Sequence, residues 1–309
     1  MKQINFTFTN FAGKEIAGYK WEPESGEPKA CFLIIHGLAE HCKRYGHFAS
    51  FLNSNGYAVL GFDHAGHGNT DPDNTGHINT EDSFHYMVKT INDFINTASE
   101  FFPGLTQILF AHSMGSFLTQ RYFQMYENNE SPAAVIYSGS NGKPPAILQG
   151  GIWISSLLRK INGPETRSPF LSNLIFGKYI KPFRPTRTPF DWLSRDEQQV
   201  DKYINDPHCG FVCSTSFYND FFKGLKALHS HKPFAGSSTE MPILLLSGDS
   251  DPVSDMGKGI HNLEKLLINS GAAHVQKKLY PGGRHEMLNE INRDEVMRDV
   301  LEFVEISMQ

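Results

Sequence analysis

The sequence predicts an α/β protein: a mostly parallel, eight-stranded sheet with helices on both faces and a mainly helical cap insertion. Eight short segments have strand patterns, and from residue 30 onward these alternate with helical patterns, as in sheets whose connections cross over their faces. Residues 142–240 then carry no strand pattern, which predicts the insertion. At 309 residues the chain is long enough for one large domain with such an insertion.

The strand patterns change along the chain. The first two segments alternate apolar and polar residues around the turn Asn10-Phe-Ala-Gly13, which indicates a hairpin. Most later segments are short apolar runs typical of strands buried in a parallel sheet. Helical patterns separate them, including one from about Thr80, one from Ser113 and a last one over 293–306. The predicted strands span residues 4–9, 16–21, 30–35, 57–62, 107–110, 133–137, 242–247 and 275–280.

The interruption at 142–240 is rich in proline, aromatic residues and helical patches. An insertion late in a doubly wound sheet projects over the carboxyl ends of its strands, where ligands bind. We therefore predict a cap at 142–240 and a catalytic domain formed by 1–141 and 241–309. One helical face in the cap carries four apolar side chains, which favours packing against the domain beneath over contact with a lipid surface. These are Ile154, Leu157, Leu158 and Ile161.

Composition and charge exclude several classes of function. The net charge of -5 and pI ≈ 6.3 give no basic surface for nucleic acid. No apolar run reaches the ~20 residues that span a bilayer, and the N-terminus has a strand pattern rather than that of a signal peptide. Four cysteines are too few for a disulfide framework in this length, so a cytoplasmic protein is predicted. Nothing in the sequence specifies an oligomeric state.

No cofactor is predicted. The glycine patterns that bind dinucleotides or nucleoside triphosphates are missing. Phe62-Asp-His-Ala-Gly-His-Gly68 is rich in histidine, but the chain has no His-Glu-x-x-His helix and no Cys/His quartet to complete a metal site. Cys209 and Cys213, four residues apart, lack companion ligands. We therefore predict no metal, and we predict that residues 62–68 form a packed turn under the reaction site.

The run Gln107-Ile-Leu-Phe-Ala-His-Ser-Met-Gly-Ser116 predicts a strand that turns sharply into a helix at Ser113. A strained strand-to-helix turn of this kind, with the pattern Gly-x-Ser-x-Gly, exposes a nucleophilic serine. Here Gly115 supplies the second glycine, and Ala111 stands at the first glycine position. Alanine adds only one methyl group, so the departure is small. An ordinary surface turn is the alternative interpretation.

A serine hydroxyl needs a base to accept its proton, and the base needs a carboxylate to orient it. Asp251 follows the seventh strand in Leu246-Ser-Gly-Asp-Ser-Asp-Pro-Val253, and His285 follows the eighth in a glycine-rich loop. The order Ser, Asp, His, each just after a strand, predicts a catalytic triad. Two alternatives stay open: Asp251 could cap a helix beginning near Ser254, and Asp249 could be the acid.

Acyl transfer also needs two N–H donors for the developing oxyanion. The amide of Met114, directly after the serine, is the first predicted donor. The second is the amide of Leu38, in the loop His36-Gly-Leu-Ala-Glu40 after the third strand, where Gly37 permits a tight turn. His36, Gly37, His112 and Gly115 are predicted to support these groups.

These residues resemble the monoacylglycerol lipase and lysophospholipase branch of the α/β-hydrolases, often labelled serine aminopeptidase S33-like. The resemblance rests on His36-Gly-Leu-Ala-Glu-His-Cys-Lys-Arg-Tyr45, on residues 62–68, on the His-Ser-Met-Gly run at 112–115, and on the loops of Asp251 and His285. It implies the α/β-hydrolase fold and the same triad and oxyanion donors. The cap segments 191–196 and 203–211 are similar to bacterial lysophospholipases and differ from animal monoacylglycerol lipases.

The predicted function is hydrolysis of carboxylic esters through an acyl-enzyme on Ser113. An apolar cap favours a small acyl ester with a single chain, such as a monoacylglycerol or a lysophospholipid, and transient contact of the cap with a membrane or micelle. The alternatives are a small-ester carboxylesterase, a proline-iminopeptidase-like peptidase, and a binding protein with a broken triad. A peptidase would need cap carboxylates for the substrate amine. The available ones are Glu165, Asp191, Asp196, Glu197 and Asp201.

Overall fold

A computed structural model describes residues 2–126, 132–144, 147–231 and 239–308. The eight predicted strands all form. They are β1 (Lys2–Thr9), β2 (Glu15–Glu22), β3 (Cys31–Ile35), β4 (Ala58–Phe62), β5 (Gln107–His112), β6 (Ala134–Ser138), β7 (Ile243–Gly248) and β8 (Val275–Tyr280). They build one sheet in the order β1-β2-β4-β3-β5-β6-β7-β8.

Strand direction agrees with the predicted mostly parallel sheet. β1 and β2 form the antiparallel hairpin, β2 pairs antiparallel with β4, and every other pairing is parallel. β5 runs two residues beyond the predicted end because His112 still pairs in register with Ser138 on β6. The ladder therefore continues up to the residue before Ser113.

Helices cover both faces of the sheet, as predicted. Side chains of β3 alternate between two cores: Leu33 packs on one face, and Phe32 and Ile34 pack on the other. The first core includes α2 (Ser83–Phe101), α3 (Met114–Met125) and α8 (Lys258–Asn269), and the second includes α1 (Gly46–Ser54) and α9 (Arg293–Ser307).

The interruption between β6 and β7 is helical in its described part. It contains α4 (Leu148–Asn162), α5 (Pro169–Phe176), α6 (Glu197–Asn205) and α7 (Thr215–Ser230). α7 packs against α4 on one side and against α2 and α3 on the other, so it joins the insertion to the sheet domain. The boundaries of the cap at 142 and 240 stay a prediction, and its residues 145–146 and 232–238 lie outside the described ranges.

The predicted apolar face of α4 is split in the structure. Ile154 and Leu158 are partly buried against the core, whereas Leu157 and Ile161 are exposed. The prediction that all four form one packed face was therefore wrong. The buried side of the helix also contains the small residues Gly151 and Ser155. A Cβ at Gly151 would lie 2.8 Å from the ring of Phe222 on α7, so glycine allows the close approach. In the described ranges no helix combines the length and the apolar character needed to cross a membrane.

The sheet has its topological switch point at β3, which lies between β4 and β5. Ligands bind α/β sheets in the crevice outside the carboxyl ends of the strands at such a point. The loop after β3 begins at His36, and β5 ends at His112, directly before Ser113. The predicted nucleophile and the predicted oxyanion loop therefore lie on either side of the same crevice.

Candidate active site

Ser113 occupies a strained turn between β5 and α3. Its φ of 51° and ψ of -118° lie in a region that non-glycine residues rarely adopt, and such strain is concentrated at functional sites. The turn is fixed on both sides: the Ser113 N–H donates to the Ser138 carbonyl at 2.9 Å, and the Ser113 carbonyl accepts from the Ser116 N–H at 2.9 Å. This geometry places the hydroxyl at the carboxyl edge of the sheet.

The two small residues of the turn differ in the space that is available for a side chain. A Cβ at Gly115 would lie 2.3 Å from the Ile35 carbonyl oxygen, so a side chain cannot fit there. Ala111 pairs in register with Ile35 and Tyr137, and its methyl group is fully buried in the core. The departure from the Gly-x-Ser-x-Gly pattern is therefore accommodated at the position where space exists.

The structure brings the three predicted triad residues into one hydrogen-bonded chain. His285 Nε2 lies 2.9 Å from Ser113 Oγ, and His285 Nδ1 lies 3.0 Å from Asp251 Oδ1. The Asp251 carboxylate also accepts from the Val253 N–H at 2.8 Å and from the Ser247 hydroxyl at 3.0 Å. Asp251 and His285 are buried, and these bonds fix both side chains.

Neither alternative interpretation of the acid matches the geometry. The Asp249 carboxylate is exposed and accepts from the Gly282 N–H at 2.8 Å, on the outer side of the loop. Asp251 does not cap a helix, since α8 begins at Lys258 rather than near Ser254 and has Gly257 at its N-cap. Only the Asp251 carboxylate reaches the imidazole.

The triad residues shift each other's pKa. Burial alone would raise the pKa of Asp251, but the charge of His285 and the hydrogen bonds to the carboxylate hold it below its usual value. Burial would lower the pKa of His285, but the Asp251 charge and hydrogen bond raise it above 6.5. The pair therefore favours a carboxylate that stabilises an imidazolium.

This coupling predicts a pH dependence of activity. His285 accepts a proton only when neutral, so kcat/KM should rise as the pH passes through its raised pKa, above pH 6.5. Asp251→Asn removes the charge that raises this pKa, so the acid limb should move to lower pH while kcat falls on the order of 10⁴-fold. Steady-state kinetics across pH measure both effects. Asp249→Asn is the matched control. The assignment is contradicted if the acid limb of the pH profile shifts in this control, or if it does not shift in Asp251→Asn.

The predicted oxyanion donors flank Ser113. A Cβ at Gly37 would lie 3.2 Å from Ser113 Cβ, so glycine lets the loop after β3 approach the nucleophile. Ala39, with a φ of 55°, completes the turn. Leu38 and Met114 both line the cavity above Ser113, and neither N–H donates to another described residue. Both amides are therefore placed to serve a ligand oxygen, and their role stays a prediction.

A buried cluster of imidazoles supports the oxyanion loop. His36 Nδ1 contacts the Gly37 carbonyl at 2.8 Å, and His36 Nε2 accepts from the His64 N–H at 3.0 Å. Burial lowers the pKa of His64 to about 3 and that of His67 to about 4, so both rings are neutral. Residues 62–68 thus form the packed turn that the sequence predicted. His112 lies beside His285, with 4.7 Å between the ring centroids.

Sequence reasoning missed a buried ion network that joins the two loops of the site. Arg44 donates to both carboxylate oxygens of Glu286, at 2.8 and 2.6 Å, and to Glu40 at 2.6 Å. Glu40 in turn accepts from the Gly37 N–H at 2.6 Å. Because Glu286 follows His285 in the chain, Arg44 links the oxyanion loop to the loop of the base. The Glu and Arg of the 36–45 motif were visible in the sequence, but the partner 242 residues away was not.

The insertion also contacts the base directly. The Trp192 ring lies 5.2 Å from the His285 ring, centroid to centroid. The Leu193 carbonyl accepts from the Glu286 N–H at 2.8 Å, and Arg195 pairs with the buried Glu290 at 2.9 Å. The sequence singled out residues 191–196 only as a resemblance. Their contact with the base loop depends on the way the insertion folds back over the sheet.

A cavity of about 750 Å³ opens above Ser113 between the sheet domain and the insertion. Its wall includes the nucleophile, the base and both predicted oxyanion donors. Most of the remaining wall is apolar and comes from the insertion, with side chains such as Ile175, Phe176, Trp192, Phe221 and Phe222. A volume of this size accommodates a ligand with a long apolar part.

Comparisons with known proteins show which sequences and folds this chain is similar to. The family described as serine aminopeptidase, S33, matches residues 26–292. Rat (Rattus norvegicus) monoglyceride lipase is 29% identical over 280 residues, which cover 88% of this chain and 84% of that protein. Mycolicibacterium smegmatis monoacylglycerol lipase is 26% identical over 301 residues, covering 96% and 95%. A solved carboxyl esterase from Bacillus coagulans, in complex with glycerol, has a TM-score of 0.90 at 25% identity, with both chains covered completely.

Proposed function

The chain belongs to the serine aminopeptidase S33 family of α/β-hydrolases, and on that premise we propose that Ser113, Asp251 and His285 are its catalytic triad. The protein is a serine ester hydrolase. The observation that carries the residue assignment is the unbroken chain from Ser113 Oγ through His285 to Asp251, at 2.9 and 3.0 Å. A binding protein without activity would not need this series of hydrogen bonds.

The proposed reaction has two halves. Ser113 Oγ attacks the ester carbonyl carbon while its proton passes to His285 Nε2; the imidazolium then protonates the departing alcohol, which leaves an acyl-enzyme. Water attacks the acyl group with His285 again as base, and the carboxylate product and free Ser113 result. In both halves the amides of Leu38 and Met114 stabilise the oxyanion, and Asp251 stabilises the imidazolium.

An activity-based probe tests the nucleophile. A fluorophosphonate phosphonylates an activated serine, so we expect one equivalent bound to the wild type, on the peptide that contains Ser113, and none bound to Ser113→Ala. Intact-mass measurement and peptide mapping give the stoichiometry and the site. Equal labelling of the two proteins would refute the assignment.

We propose that the substrates are lipids with one acyl chain, monoacylglycerols in the first place. The cavity is large, and the part of its wall that the insertion contributes is mainly apolar. Burying one methylene group is worth about 0.8 kcal/mol, or about a factor of four in affinity. A cavity of this kind therefore binds a long acyl chain more tightly than a short one. The similarity to two monoacylglycerol lipases supports the same substrate class.

A series of p-nitrophenyl esters tests the chain preference. From acetate to butyrate to octanoate we expect kcat/KM to rise, by on the order of 10-fold over the first step, because each added methylene group leaves water. Ser113→Ala, assayed with the same esters, gives the background hydrolysis. Values of kcat/KM that fall steeply beyond acetate would identify a small-ester carboxylesterase instead.

Lysophospholipids are the second candidate substrates, favoured by the charges at the cavity. Lys143, Lys178 and Arg184 line it, and none of them forms an ion pair with another described residue. Three acidic residues also line it: Glu40 and Glu286 are already paired with Arg44, and Asp255 offsets one of the three positive charges. Comparing kcat/KM for a monoacylglycerol and for a lysophospholipid of the same chain decides between the two classes.

The cap carboxylates of the described structure give no support to the peptidase alternative. None of the five cap carboxylates considered for that role lines the cavity. Asp196 caps α6 and pairs with Arg293 at 2.7 Å, and Asp201 pairs with Arg187 at 2.6 Å. Asp201 thus joins two segments of the insertion, and Asp196 joins the insertion to α9, so we do not propose peptidase activity.

We further propose that α4 touches lipid surfaces when substrate is drawn from them. Trp153, Leu157 and Ile161 recur every four residues along α4, and the exposed fractions of Trp153 and Ile161 are 69% and 68%. Exposed apolar rows of this kind favour contact with a membrane or micelle.

A cytoplasmic location remains our proposal, consistent with four free cysteines.

A further inference from the structure

Three metal-ligating side chains converge outside the triad. His41 lies in the loop after β3, and Asp206 and Cys209 lie in the turn after α6. Their ligand atoms all lie within 4.8 Å of one another. Among the residues that the structure describes, no other group of three histidine, cysteine or acidic side chains converges in this way. In the sequence Cys209 had no companion ligands, but folding places it beside a histidine 168 residues earlier.

The spacing of the three ligand atoms can be compared with that of a tetrahedral site. With bonds of about 2.0–2.3 Å, the ligand atoms around Zn²⁺ lie about 3.3–3.6 Å apart. His41 Nε2 and Asp206 Oδ2 are 2.9 Å apart, sharing a hydrogen bond. A metal ion in place of the shared proton requires them to separate by only a few tenths of an ångström. The Cys209 sulfur lies within 4.8 Å of both atoms and has to move closer to bind the same ion.

The surroundings suit a metal ion. The His41 and Asp206 side chains are 10% and 30% exposed, which provides an entry path from solvent. The His208 N–H donates to the second carboxylate oxygen of Asp206 at 2.9 Å, which orients that ligand as outer-shell groups do. The Nδ1 atom of His208 is buried without a hydrogen-bond partner among described residues, and its ring centroid lies 6.0 Å from that of His41.

The donor set identifies the metal. One imidazole nitrogen, one carboxylate oxygen and one thiolate sulfur suit Zn²⁺, whereas Mg²⁺ and Ca²⁺ prefer oxygen ligands alone.

We propose that His41, Asp206 and Cys209 bind one Zn²⁺ ion, with water in the fourth position, and that this ion ties the turn after α6 to the oxyanion loop. The two segments already meet: the Gly210 N–H and the Tyr203 hydroxyl each donate to the Ala39 carbonyl at 2.9 Å. Zinc would add a bond between the insertion and the loop of Leu38. The binding itself does not depend on the proposed ester hydrolysis.

Calorimetric titration of chelator-treated full-length protein with Zn²⁺ tests the site, together with absorption spectra of the Co²⁺ form. For the wild type we expect one Zn²⁺ per chain, proton release, a higher Tm and a thiolate-to-cobalt charge-transfer band. Cys209→Ser should abolish the band and weaken Zn²⁺ binding by more than the ~100-fold loss typical of outer-shell changes. Asp206→Asn should also weaken binding, which guards against a folding defect of one variant.

The matched control is His85→Asn. His85 forms a similar pair with Asp82, at 2.7 Å, but belongs to no converging group of three among the described residues. It should leave Zn²⁺ binding unchanged. Absence of stoichiometric binding in the wild type, or full retention of it in both Cys209→Ser and Asp206→Asn, overturns the proposal.

Discussion

Replacing Ser113 with alanine is expected to lower kcat on the order of 10⁵- to 10⁶-fold. The variant loses the atom that forms the acyl-enzyme, and His285 is left without a proton to accept. The residual rate over water comes from the oxyanion donors and from substrate binding, which remain. Steady-state hydrolysis of the best p-nitrophenyl ester measures the loss, and circular dichroism verifies the fold.

A double variant makes this test sharper. His285→Ala alone should cost about as much as Ser113→Ala, and the two changes together should cost little more than either, because the residues act as one unit. Ser54→Ala is a suitable control, since Ser54 is exposed and its hydroxyl donates only to the Phe51 carbonyl. Retention of more than about a tenth of kcat in Ser113→Ala would exclude this serine as the nucleophile.

Arg44→Met is expected to lower the free energy of unfolding by about 3–5 kcal/mol, because it leaves two buried carboxylates without a cation. The Arg44 side chain is 12% exposed, and those of Glu40 and Glu286 are 4% and 7% exposed. The loops of Gly37 and His285 also lose their common anchor, so kcat should fall on the order of 100-fold, as expected for a misplacement of about 1 Å. Chemical denaturation and steady-state kinetics measure the two effects.

The destabilisation should depend on pH. Burial would raise the pKa of Glu286, but Arg44 outweighs burial and lowers it to about 2, from 4.5. A carboxyl group with a depressed pKa contributes stability that is fully present above pH 4.5 and is lost as the pH falls toward 2. The difference in stability between wild type and Arg44→Met should therefore shrink below pH 4.5.

Arg187→Met controls for the loss of an ion pair as such. Arg187 approaches Asp201 at 2.6 Å, the same distance as Arg44 to Glu286, but the two side chains are 38% and 50% exposed. Solvent screens such a pair, so the denaturation midpoint should hardly change. Arg44→Lys should lie between wild type and Arg44→Met, because lysine keeps the charge but loses the bidentate geometry. Equal effects of Arg44→Met and Arg187→Met would contradict the role of the buried network.

The sheet and the triad were predictable because both leave local signals. Short apolar runs such as Cys31–Ile35 are buried on both faces, and a turn around Ser113 needs small residues on each side. The order of serine, acid and base follows from their places after successive strands. The sequence predicted Asp251 and left Asp249 open as an alternative, because both carboxylates lie in one loop and only the fold decides which faces His285.

The insertion gave a weaker local signal. Its helices were expected, but the packed face of α4 was assigned from the helical spacing of apolar residues, whereas the structure exposes Leu157 and Ile161 and packs Gly151 closely against α7. The contact of Trp192 with His285 and the convergence of His41 with Cys209 join segments far apart in the chain. Periodicity and motif spacing carry no information about such pairs.

By itself, the sequence determined the α/β-hydrolase fold, the strand order along the chain and the identities of Ser113, Asp251 and His285 as candidates. Only the tertiary structure decided how Arg44 connects the two loops of the site, which side chains of the insertion line the cavity above Ser113, and where His41 meets Asp206. The physical reason is the distance along the chain over which each kind of interaction acts. Hydrophobic periodicity and turn chemistry act between neighbours in the chain, whereas the site's electrostatics and its cavity arise from contacts between segments that meet only after folding.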